Sequence, residues 1–213
     1  MSLAAVLLAG CAGGSGHSSA LDPALGDGNA AAIRAEYQAL HGMPPGAHAK
    51  DALQTKLGFV PVSDAQGDDA GRFHDLAEEV VRKVNQVRAQ GRFCGSERME
   101  AAPALRWDAR VAYAALLESE WMRESNRFDH AWESGELVWD RFDIVGYPWS
   151  KADENIAAGF RTLDEAIQAW IDSPSHCRAM MRGDIEDIGL AVVPGNERSR
   201  YRSYWTMALG TLR

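Results

Sequence analysis

Apolar side chains recur every three or four residues along three stretches of the chain, and each stretch predicts a helix. The first helix ends at Gly91 and sets a charged face against an apolar stripe of Phe73, Leu76, Val80, Val84 and Val87. The second begins after Asp108, a favourable N-cap, and ends near Asn126. Its predicted inward residues are Val111, Ala114, Ala115, Leu117, Trp121 and Met122. The third covers residues 137–145 and ends at Gly146.

A fourth helix is predicted inside a heavily punctuated stretch, residues 152–177. Thr162 is followed three residues later by Glu165, which is the pattern of a capping box. The apolar residues of this helix are Ile167, Trp170 and Ile171. Pro174 is predicted to end it. The flanking segments DENIAAG and SPSHC are predicted as turns, where polar side chains often form functional sites.

Two β-branched, apolar runs near the C-terminus predict strands at residues 188–193 and 204–209. The turn signal Pro194-Gly195-Asn196 between them predicts a hairpin. Helices outside and strands inside indicate a layered sandwich of helices and sheet.

Five sequence blocks occur in an order that resembles the bacterial branch of the CAP superfamily, which includes cysteine-rich secretory, antigen 5 and pathogenesis-related proteins. The blocks are FDH at 128–130, ENIAAG at 154–159, AWIDSPSHCRAMM at 169–181, EDIGLAVV at 186–193 and YWTMALG at 204–210. The segment WDRFDIVGYPW at 139–149, between the first two, carries the same resemblance. The resemblance runs from about Phe73 to the C-terminus. It implies an α+β fold, the three-layer α-β-α CAP (SCP) sandwich, over residues 72–213, with a groove on one side.

The N-terminal residues resemble a bacterial lipoprotein signal. Residues 1–10 form a short apolar run that ends in Leu8-Ala9-Gly10 before Cys11, and the run is too short to span a bilayer. No Lys or Arg precedes it, and an ordinary N-terminal segment is the alternative. The resemblance implies a signal peptide at 1–10, a lipidated Cys11 and a location in the bacterial cell envelope, in the outer membrane or the periplasm. Residues 11–71 are predicted to be a flexible tether and N-terminal segment.

Charge limits the partners of the chain. The sequence has 22 Lys and Arg against 30 Asp and Glu, a formal net charge of −8. Excess acid disfavours nucleic acid and anionic membrane surfaces. We therefore expect membrane contact through the lipid anchor alone, no nucleic-acid partner, and a monomer.

The resemblance also implies a set of cavity residues. Eukaryotic members line a central cavity with two His and two Glu, and the matching positions here are His130, Glu154 and His176. Ser173 stands at the position of the second Glu. The predicted ligand-binding set is therefore a triad.

A further carboxylate in the EDIG block could replace the missing one. Asp187 is included in the predicted cavity set on this ground, with Glu186 as the other choice.

These residue types allow several functions. His130 and His176 could bind zinc weakly, with a dissociation constant in the micromolar range or weaker. Binding would be lost as the pH falls and the imidazoles take up protons. Glu154 would orient an imidazole. Alternatively, the three polar residues form a buried hydrogen-bond network that only ties loops together. Ser175, beside Pro174, is a candidate nucleophile, but a serine beside proline is more commonly explained by turn chemistry.

Three functional classes therefore stay open from the sequence. The first is a module that binds a lipid, sterol or peptide in the groove. The second is a metal-assisted hydrolase, a peptidase or esterase. The third is a surface interaction module that binds neither metal nor small ligand.

The cysteines predict one disulfide. With Cys11 lipidated, Cys94 and Cys177 remain, and an exported protein meets an oxidising compartment. We expect a Cys94–Cys177 bridge, and two buried free thiols are the alternative.

Overall fold

A computed structural model of the chain describes residues 69–213 and the dipeptide Gly14–Ser15. The predicted signal peptide, Cys11 and most of the predicted tether lie outside the described residues. None of the helices described is both long and apolar enough to cross a bilayer.

The described residues form five helices and seven strands. The helices are α1 (Asp69–Arg88), α2 (Ala109–Ser125), α3 (Val138–Ile144), α4 (Leu163–Asp172) and α5 (Pro174–Met180). The strands are β1 (Gly14–Ser15), β2 (Arg92–Cys94), β3 (Glu97–Met99), β4 (Arg106–Trp107), β5 (Trp149–Ala158), β6 (Asp187–Pro194) and β7 (Ser203–Leu212). Strands β2 and β3 form a separate small hairpin. The first long helix begins at Asp69, three residues before the predicted domain start.

The central sheet has the strand order β1-β5-β7-β6-β4. Strands β6 and β7 form the predicted antiparallel hairpin, and β5 pairs antiparallel with the other side of β7. The short β4 runs parallel to β6. The long strand β5 therefore lies toward one side of the sheet, and in the part of the chain that the structure describes its outer edge pairs with the two residues of β1.

One face of the sheet is covered by α1, α4 and α5, and we call it the disulfide face. Its core includes Val84, Trp170, Met180, Trp205 and Leu209. The predicted bridge is present there: Cys94 and Cys177 are bonded, with Cα atoms 5.4 Å apart and a sequence separation of 83. It joins the β2–β3 hairpin to α5.

The opposite face is covered by α2 and α3, and we call it the histidine face. Its core includes Val111, Phe142, Ala152, Ala191 and Ala208. Helices on both faces of one sheet give the α-β-α sandwich that the sequence predicts.

Close approach of α2 to the sheet depends on one glycine. A Cβ atom on Gly189 of β6 would lie 2.0 Å from the backbone nitrogen of Ala112, far inside contact distance. Only glycine lets the helix backbone lie directly on the strand at this point.

Local signals explain where the helices begin and end. Asp108 caps α2, since its Oδ1 accepts hydrogen bonds from the backbone N–H groups of Arg110 and Val111. Asn126 ends α2 in the left-handed conformation with φ of 57°. Thr162 and Glu165 form the predicted capping box of α4. The four predicted helices are confirmed.

Two segments that we predicted as turns are regular structure, and these predictions are wrong. DENIAAG belongs to β5 except for its last residue, Gly159, and SPSHC belongs to α5 except for Ser173, since Pro174 is the first residue of that helix. Both faces of β5 are buried, so the strand lacks the alternation of apolar and polar residues that would have marked it. Pro174 ends one helix and starts the next, because proline lacks only an N–H that the first helical turn leaves unpaired anyway.

Candidate functional site

The site is built around Glu154, in the middle of β5. Successive side chains of a strand point to opposite faces, and Glu154 shares its face with Ala152 and Ile156, which pack under α2 and α3. Its side chain is therefore directed to the histidine face, and the residue is only 1% exposed. A carboxylate at this depth requires partners.

Both oxygens of Glu154 are bound by other polar groups. Oε1 lies 2.9 Å from Nδ1 of His130, which belongs to the loop between α2 and α3. Oε2 accepts a hydrogen bond from Nη2 of Arg141 in α3 at 2.6 Å. The structure thus brings two of the predicted site residues, His130 and Glu154, into direct contact, and it adds an arginine that was not predicted.

Arg141 also binds a second buried carboxylate. Its Nη1 lies 2.8 Å from Oε2 of Glu118 in α2. The same Nη1 reaches the carbonyl oxygens of His130 at 3.3 Å and Glu136 at 3.4 Å. We call Glu118, His130, Arg141 and Glu154 the histidine cluster.

An aromatic side chain covers the cluster on one side. The indole N–H of Trp132 donates to Oε2 of Glu118 at 2.8 Å. The guanidinium carbon of Arg141 lies 5.6 Å from the centre of the Trp132 ring, in cation–π range. Trp132 is half-buried, so the cluster lies directly beneath a partly exposed aromatic residue.

The two carboxylates of the cluster differ in their electrostatics. Burial by itself raises the pKa of Glu154, but the charge of Arg141 and the hydrogen bond from His130 outweigh burial and hold this pKa below its ordinary value. Burial raises the pKa of Glu118 well above its ordinary value, and the charge of Arg141 only partly offsets it. Oε1 of Glu118 has no hydrogen-bond partner among the described residues. Glu154 is therefore the ionised partner of Arg141, and Glu118 is the carboxyl group that holds a proton more readily.

His176 lies on the other face of the sheet. It is fully buried in α5, and its carbonyl oxygen accepts a hydrogen bond from Nδ2 of Asn155 at 3.0 Å. Asn155 follows Glu154 in β5 and points to the opposite face. The backbone of β5 thus links the segment that carries His176 to the residue that binds His130.

The serine residues near His176 interact with each other. Ser173 lies at the N-cap position of α5, and its hydroxyl oxygen is 3.4 Å from that of Ser175. Ser175 is the second residue of α5, so its hydroxyl group lies in the first turn of a helix and not in the turn that the sequence predicted.

The carboxylates proposed as substitutes for the missing cavity Glu bind other partners. Asp187 accepts hydrogen bonds from the hydroxyl group of Tyr147 at 2.7 Å and from Nε of Arg106 at 3.2 Å. Glu186 is 59% exposed and pairs with the same arginine. Glu118 of α2 is instead the second carboxylate that the fold brings to Glu154, on the far side of Arg141.

The donor set limits how a metal ion could be held. In the part of the chain that the structure describes, no group of three or more His, Cys, Asp or Glu side chains is placed to hold a metal. The Glu154 carboxylate is engaged by His130 and Arg141, so it is suited to orienting an imidazole rather than to binding a cation itself. The residues therefore fit at most a weak site that depends on imidazole nitrogens, and they do not fit a closed structural zinc site.

Sequence reasoning missed Glu118 and Arg141, although a signal for both exists. Glu118 lies four residues after Ala114 and four before Met122, so it falls on the inward stripe of α2. Arg141 lies three residues after Val138 and next to Phe142 on the buried side of α3. An ionisable residue at a position that helical spacing assigns to the core needs a buried partner.

Comparison with known proteins agrees with the fold. The model of the cysteine-rich secretory protein family (CAP) matches residues 81–209. Two proteins of Bacillus subtilis are similar: the uncharacterized membrane protein YlbC is 31% identical over 88 residues, and the uncharacterized protein YkwD is 28% identical over 102 residues. These matches cover 41% and 48% of this chain, and only 25% and 37% of the two relatives.

Two solved structures share the fold. One is an extracellular protein of Bacillus anthracis that contains an SCP domain, with a TM-score of 0.52 and 21% identity over 70% of this chain and 45% of that chain. The other is an outer surface protein of Borrelia burgdorferi, with a TM-score of 0.51 and 18% identity over 71% of this chain and 100% of that chain.

Proposed function

We propose that this chain, which belongs to the cysteine-rich secretory protein (CAP) family, is a lipid-anchored, extracytoplasmic binding module. In this proposal the protein is a monomer that takes a small hydrophobic ligand or a peptide beside the histidine cluster. Cys11 carries the anchor, in the outer membrane or facing the periplasm. The disulfide fits an oxidising compartment, and the two structural neighbours are described as extracellular and outer-surface proteins.

One observation carries the proposal: a buried, fixed polar group lies next to half-buried aromatic side chains. His130 is 8% exposed and bonded to Glu154. Trp132 and Phe128 lie two positions on either side of it, and both are half-buried. Apolar walls with a few placed polar groups are typical of small-molecule sites.

Native mass spectrometry of the full-length chain carrying Cys11→Ser tests the binding proposal. We expect a co-purified apolar molecule whose amount is reduced in Trp132→Phe, which keeps an aromatic ring, although a smaller one, and loses the N–H bonded to Glu118. Trp107→Phe, a half-buried tryptophan in β4, is the matched control and should keep the molecule. A wild-type spectrum without added mass, together with no stabilisation by fatty acids or apolar peptides, would contradict a binding module.

The anchor has its own test. The wild-type chain should stay with membranes after a high-salt wash, and Cys11→Ser should be released. Equal retention of both proteins would show that Cys11 carries no lipid.

A metal-assisted hydrolase is the second candidate, and the Glu154–His130 pair favours it. A carboxylate that accepts a hydrogen bond from Nδ1–H fixes the ring in the tautomer in which Nε2 carries the lone pair. The sequence proposed His130 and His176 as joint ligands, but they lie on opposite faces of the sheet, so His130 alone would hold an ion at this pair. A bound ion would supply Lewis-acid activation of a carbonyl or a water. Glu154 would keep the His130 ring oriented. We expect zinc binding in the micromolar range or weaker, and its loss in the variant with both His130→Ala and His176→Ala. Turnover of a peptide or ester that requires zinc would establish this candidate in place of the first.

A further inference from the structure

We propose that the loop between β6 and β7, together with the end of α2, forms a docking surface for an acidic segment of a partner protein. The loop contributes Arg198, Arg200 and Arg202, and the residues after α2 contribute Arg127. We call these four arginines the basic surface. The proposal goes beyond the ligand site at the histidine cluster, because it concerns an exposed surface and a macromolecular partner.

The local charge of the basic surface is opposite to that of the chain. The segment from Asn196 to Arg202 contains three arginines and a single acid, Glu197, whereas the whole chain has a formal net charge of −8. All three loop arginines are exposed. Among the described residues, no carboxylate forms an ion pair with any of the three. A positive surface of this kind is complementary to an acidic partner and speeds the encounter with it.

Aromatic rings hold two of the guanidinium groups in place. The guanidinium carbon of Arg200 lies 5.4 Å from the centre of the Tyr201 ring. That of Arg127 lies 5.9 Å from the centre of the Trp121 ring. Phe128 packs edge to face against Tyr201, with ring centres 6.0 Å apart. A guanidinium group that already rests on a ring loses less conformational entropy when it binds a carboxylate.

One side chain at the end of α2 fixes the backbone of the loop. Nδ2 of Asn126 donates to the carbonyl oxygen of Arg198 at 2.9 Å, and its Oδ1 accepts from the backbone N–H of Arg200 at 2.7 Å. The two ends of the loop are joined by the backbone N–H of Gly195, which donates to the carbonyl oxygen of Arg202 at 2.8 Å. The arginines are therefore carried by a built loop, and the surface is formed before a partner arrives.

The residue types of the basic surface fit a protein partner. Arginine offers its N–H groups in a planar fork that matches both oxygens of a carboxylate, and arginine clusters recognise acidic motifs. Glu133 already makes such a contact, since its Oε1 lies 3.3 Å from Nη1 of Arg127. Trp121 and Tyr201 are half-buried beside the arginines. Trp, Tyr and Arg are the residue types that contribute most to binding at protein interfaces.

The place of the basic surface in the fold disfavours the anchoring membrane as its partner. Strand β1 pairs with β5 at Ala152, whereas the loop lies beyond the pairing of Ala158 with Tyr204, at the other end of the sheet. The residues between these two points cover about 20 Å at the rise of a strand. Cys11, the proposed anchor, comes three positions before β1 in sequence. A membrane at the β1 end is therefore remote from the basic surface, and this step alone rests on the proposed function.

The experiment measures peptide binding by the full-length chain carrying Cys11→Ser. The probe is a short fluorescein-labelled peptide in which glutamate alternates with glycine and tyrosine, and the neutral control peptide has glutamine in place of every glutamate. The surface variant carries Arg198→Gln and Arg200→Gln. Fluorescence anisotropy reports the affinity.

The chain supplies a matched control variant with the same change of charge. Arg82→Gln and Arg98→Gln replace two exposed arginines outside the basic surface, and Arg98 also lies over an aromatic ring, that of Phe93. We expect the wild type and the control variant to bind the glutamate peptide equally. The surface variant should bind it about 5- to 20-fold more weakly, since each exposed ion pair contributes a few-fold. Affinity should fall as the salt is raised from about 0.05 to 0.3 M, because exposed charges are screened.

Three outcomes would overturn the proposal. One is a wild type that does not bind the glutamate peptide, or binds the glutamine peptide as tightly. Another is an equal loss of affinity in the surface and control variants. The third uses phosphatidylglycerol vesicles and polygalacturonate as alternative probes: binding of either one that depends on Arg198 and Arg200 and exceeds binding of the peptide would assign the surface to a membrane or a polysaccharide.

Two further measurements keep the result interpretable. If the surface variant does not fold, amide chemical shifts of the wild type decide: the glutamate peptide should perturb residues 126–128 and 196–202, and perturbation confined to other residues overturns the proposal. The surface variant should also keep the apolar molecule expected at the histidine cluster. Absence of that molecule from every sample, with peptide binding intact, contradicts the binding module and supports the basic surface.

Discussion

The two faces of the sheet each bury one whole arginine, and the partners of these arginines differ. On the disulfide face, Arg88 binds backbone carbonyls that belong to chain connections and to the end of α5. On the histidine face, Arg141 binds two carboxylates, Glu118 and Glu154. Arg88 thus donates to backbone carbonyl oxygens, which every protein has, whereas Arg141 pairs with two specific acidic side chains.

This difference indicates how to separate structure from function inside one core. Carbonyl oxygens of turns and helix ends require donors in any fold, so Arg88 needs no explanation beyond stability. Buried carboxylates could be replaced by apolar side chains, often without loss of stability. Their presence beside His130 is therefore the stronger sign of a site.

The largest expected effect lies on the disulfide face. Replacing both Cys94 and Cys177 by Ala should lower the free energy of unfolding by about 4 to 5 kcal/mol at the upper end, because the bridge closes a long loop of the unfolded chain. Urea denaturation measures this loss, and reduced wild-type protein is the control that should show the same value. A loss below about 1 kcal/mol would mean that packing alone holds α5 in place. The disulfide would then not make one face of the sheet more stable than the other.

The next effect compares the two arginines directly. Arg141→Met should cost about 3 to 5 kcal/mol at pH 7, because it leaves buried carboxylates without their cation. Arg88→Met should cost less, about 1 to 3 kcal/mol, because the carbonyls that it leaves carry no net charge.

The pH dependence of these two losses follows from Glu154. Its folded-state pKa lies below the ordinary value, so in wild type it contributes stability above its unfolded-state pKa and loses it as the pH falls through the folded-state pKa. The cost of Arg141→Met should therefore shrink as the pH is lowered, since Glu154 can then take up a proton. The cost of Arg88→Met should stay constant. Parallel pH profiles for both variants would show that the arginines are equivalent.

Glu118→Gln should produce a smaller effect, which appears as a pH-dependent difference in stability between the variant and the wild type. Burial raises the folded-state pKa of Glu118, so this group destabilises the wild type increasingly as the pH rises from the unfolded-state value through the folded-state one. Glutamine cannot ionise, and the stability of the variant relative to wild type should rise over the same pH range. Glu124→Gln, on the exposed end of the same helix, should give a flat difference. A flat difference for Glu118→Gln as well would place its pKa near that of a solvated carboxyl group.

The smallest effect concerns a helix end on the disulfide face. Thr162→Ala removes the side chain that accepts from the backbone N–H of Glu165, and should cost about 1 kcal/mol. Thr162→Ser keeps the hydroxyl group and should cost little. Thermal unfolding measures both. Equal losses in the two variants would attribute the effect to the methyl group instead of the cap.

Sequence patterns located the helices because each has one apolar stripe and a marked end. The hairpin of β6 and β7 was likewise evident from its β-branched residues and its turn. Strand β5 was missed because Asp153, Glu154 and Asn155 resemble turn residues, whereas each is buried and bonded within the fold. A polar residue in a fully buried strand can be recognised only when its partners from other elements are known.

The candidate site was half predicted for the same reason. His130 and Glu154 came from the family resemblance and do lie together. Their partners Glu118 and Arg141 come from two helices that approach β5 only in the folded chain. The pairing of an acid on α2 with a base on α3 depends on tertiary geometry that no local pattern reports.

Gly189 gives the site a mechanical dependence on a residue of another strand. Helix α2 rests on β6 at Ala112, and Glu118 lies six residues further along the same helix, about 9 Å away at the rise of an α-helix. Because a helix is rigid, a shift of α2 where it contacts Gly189 also moves the rest of the helix. A methyl group on residue 189 would push α2 away from the sheet at Ala112. Glu118, on the same helix, would then move relative to Arg141, although the substitution contacts neither residue. The seating of α2, the helix that carries Glu118, thus depends on a residue that has no side chain.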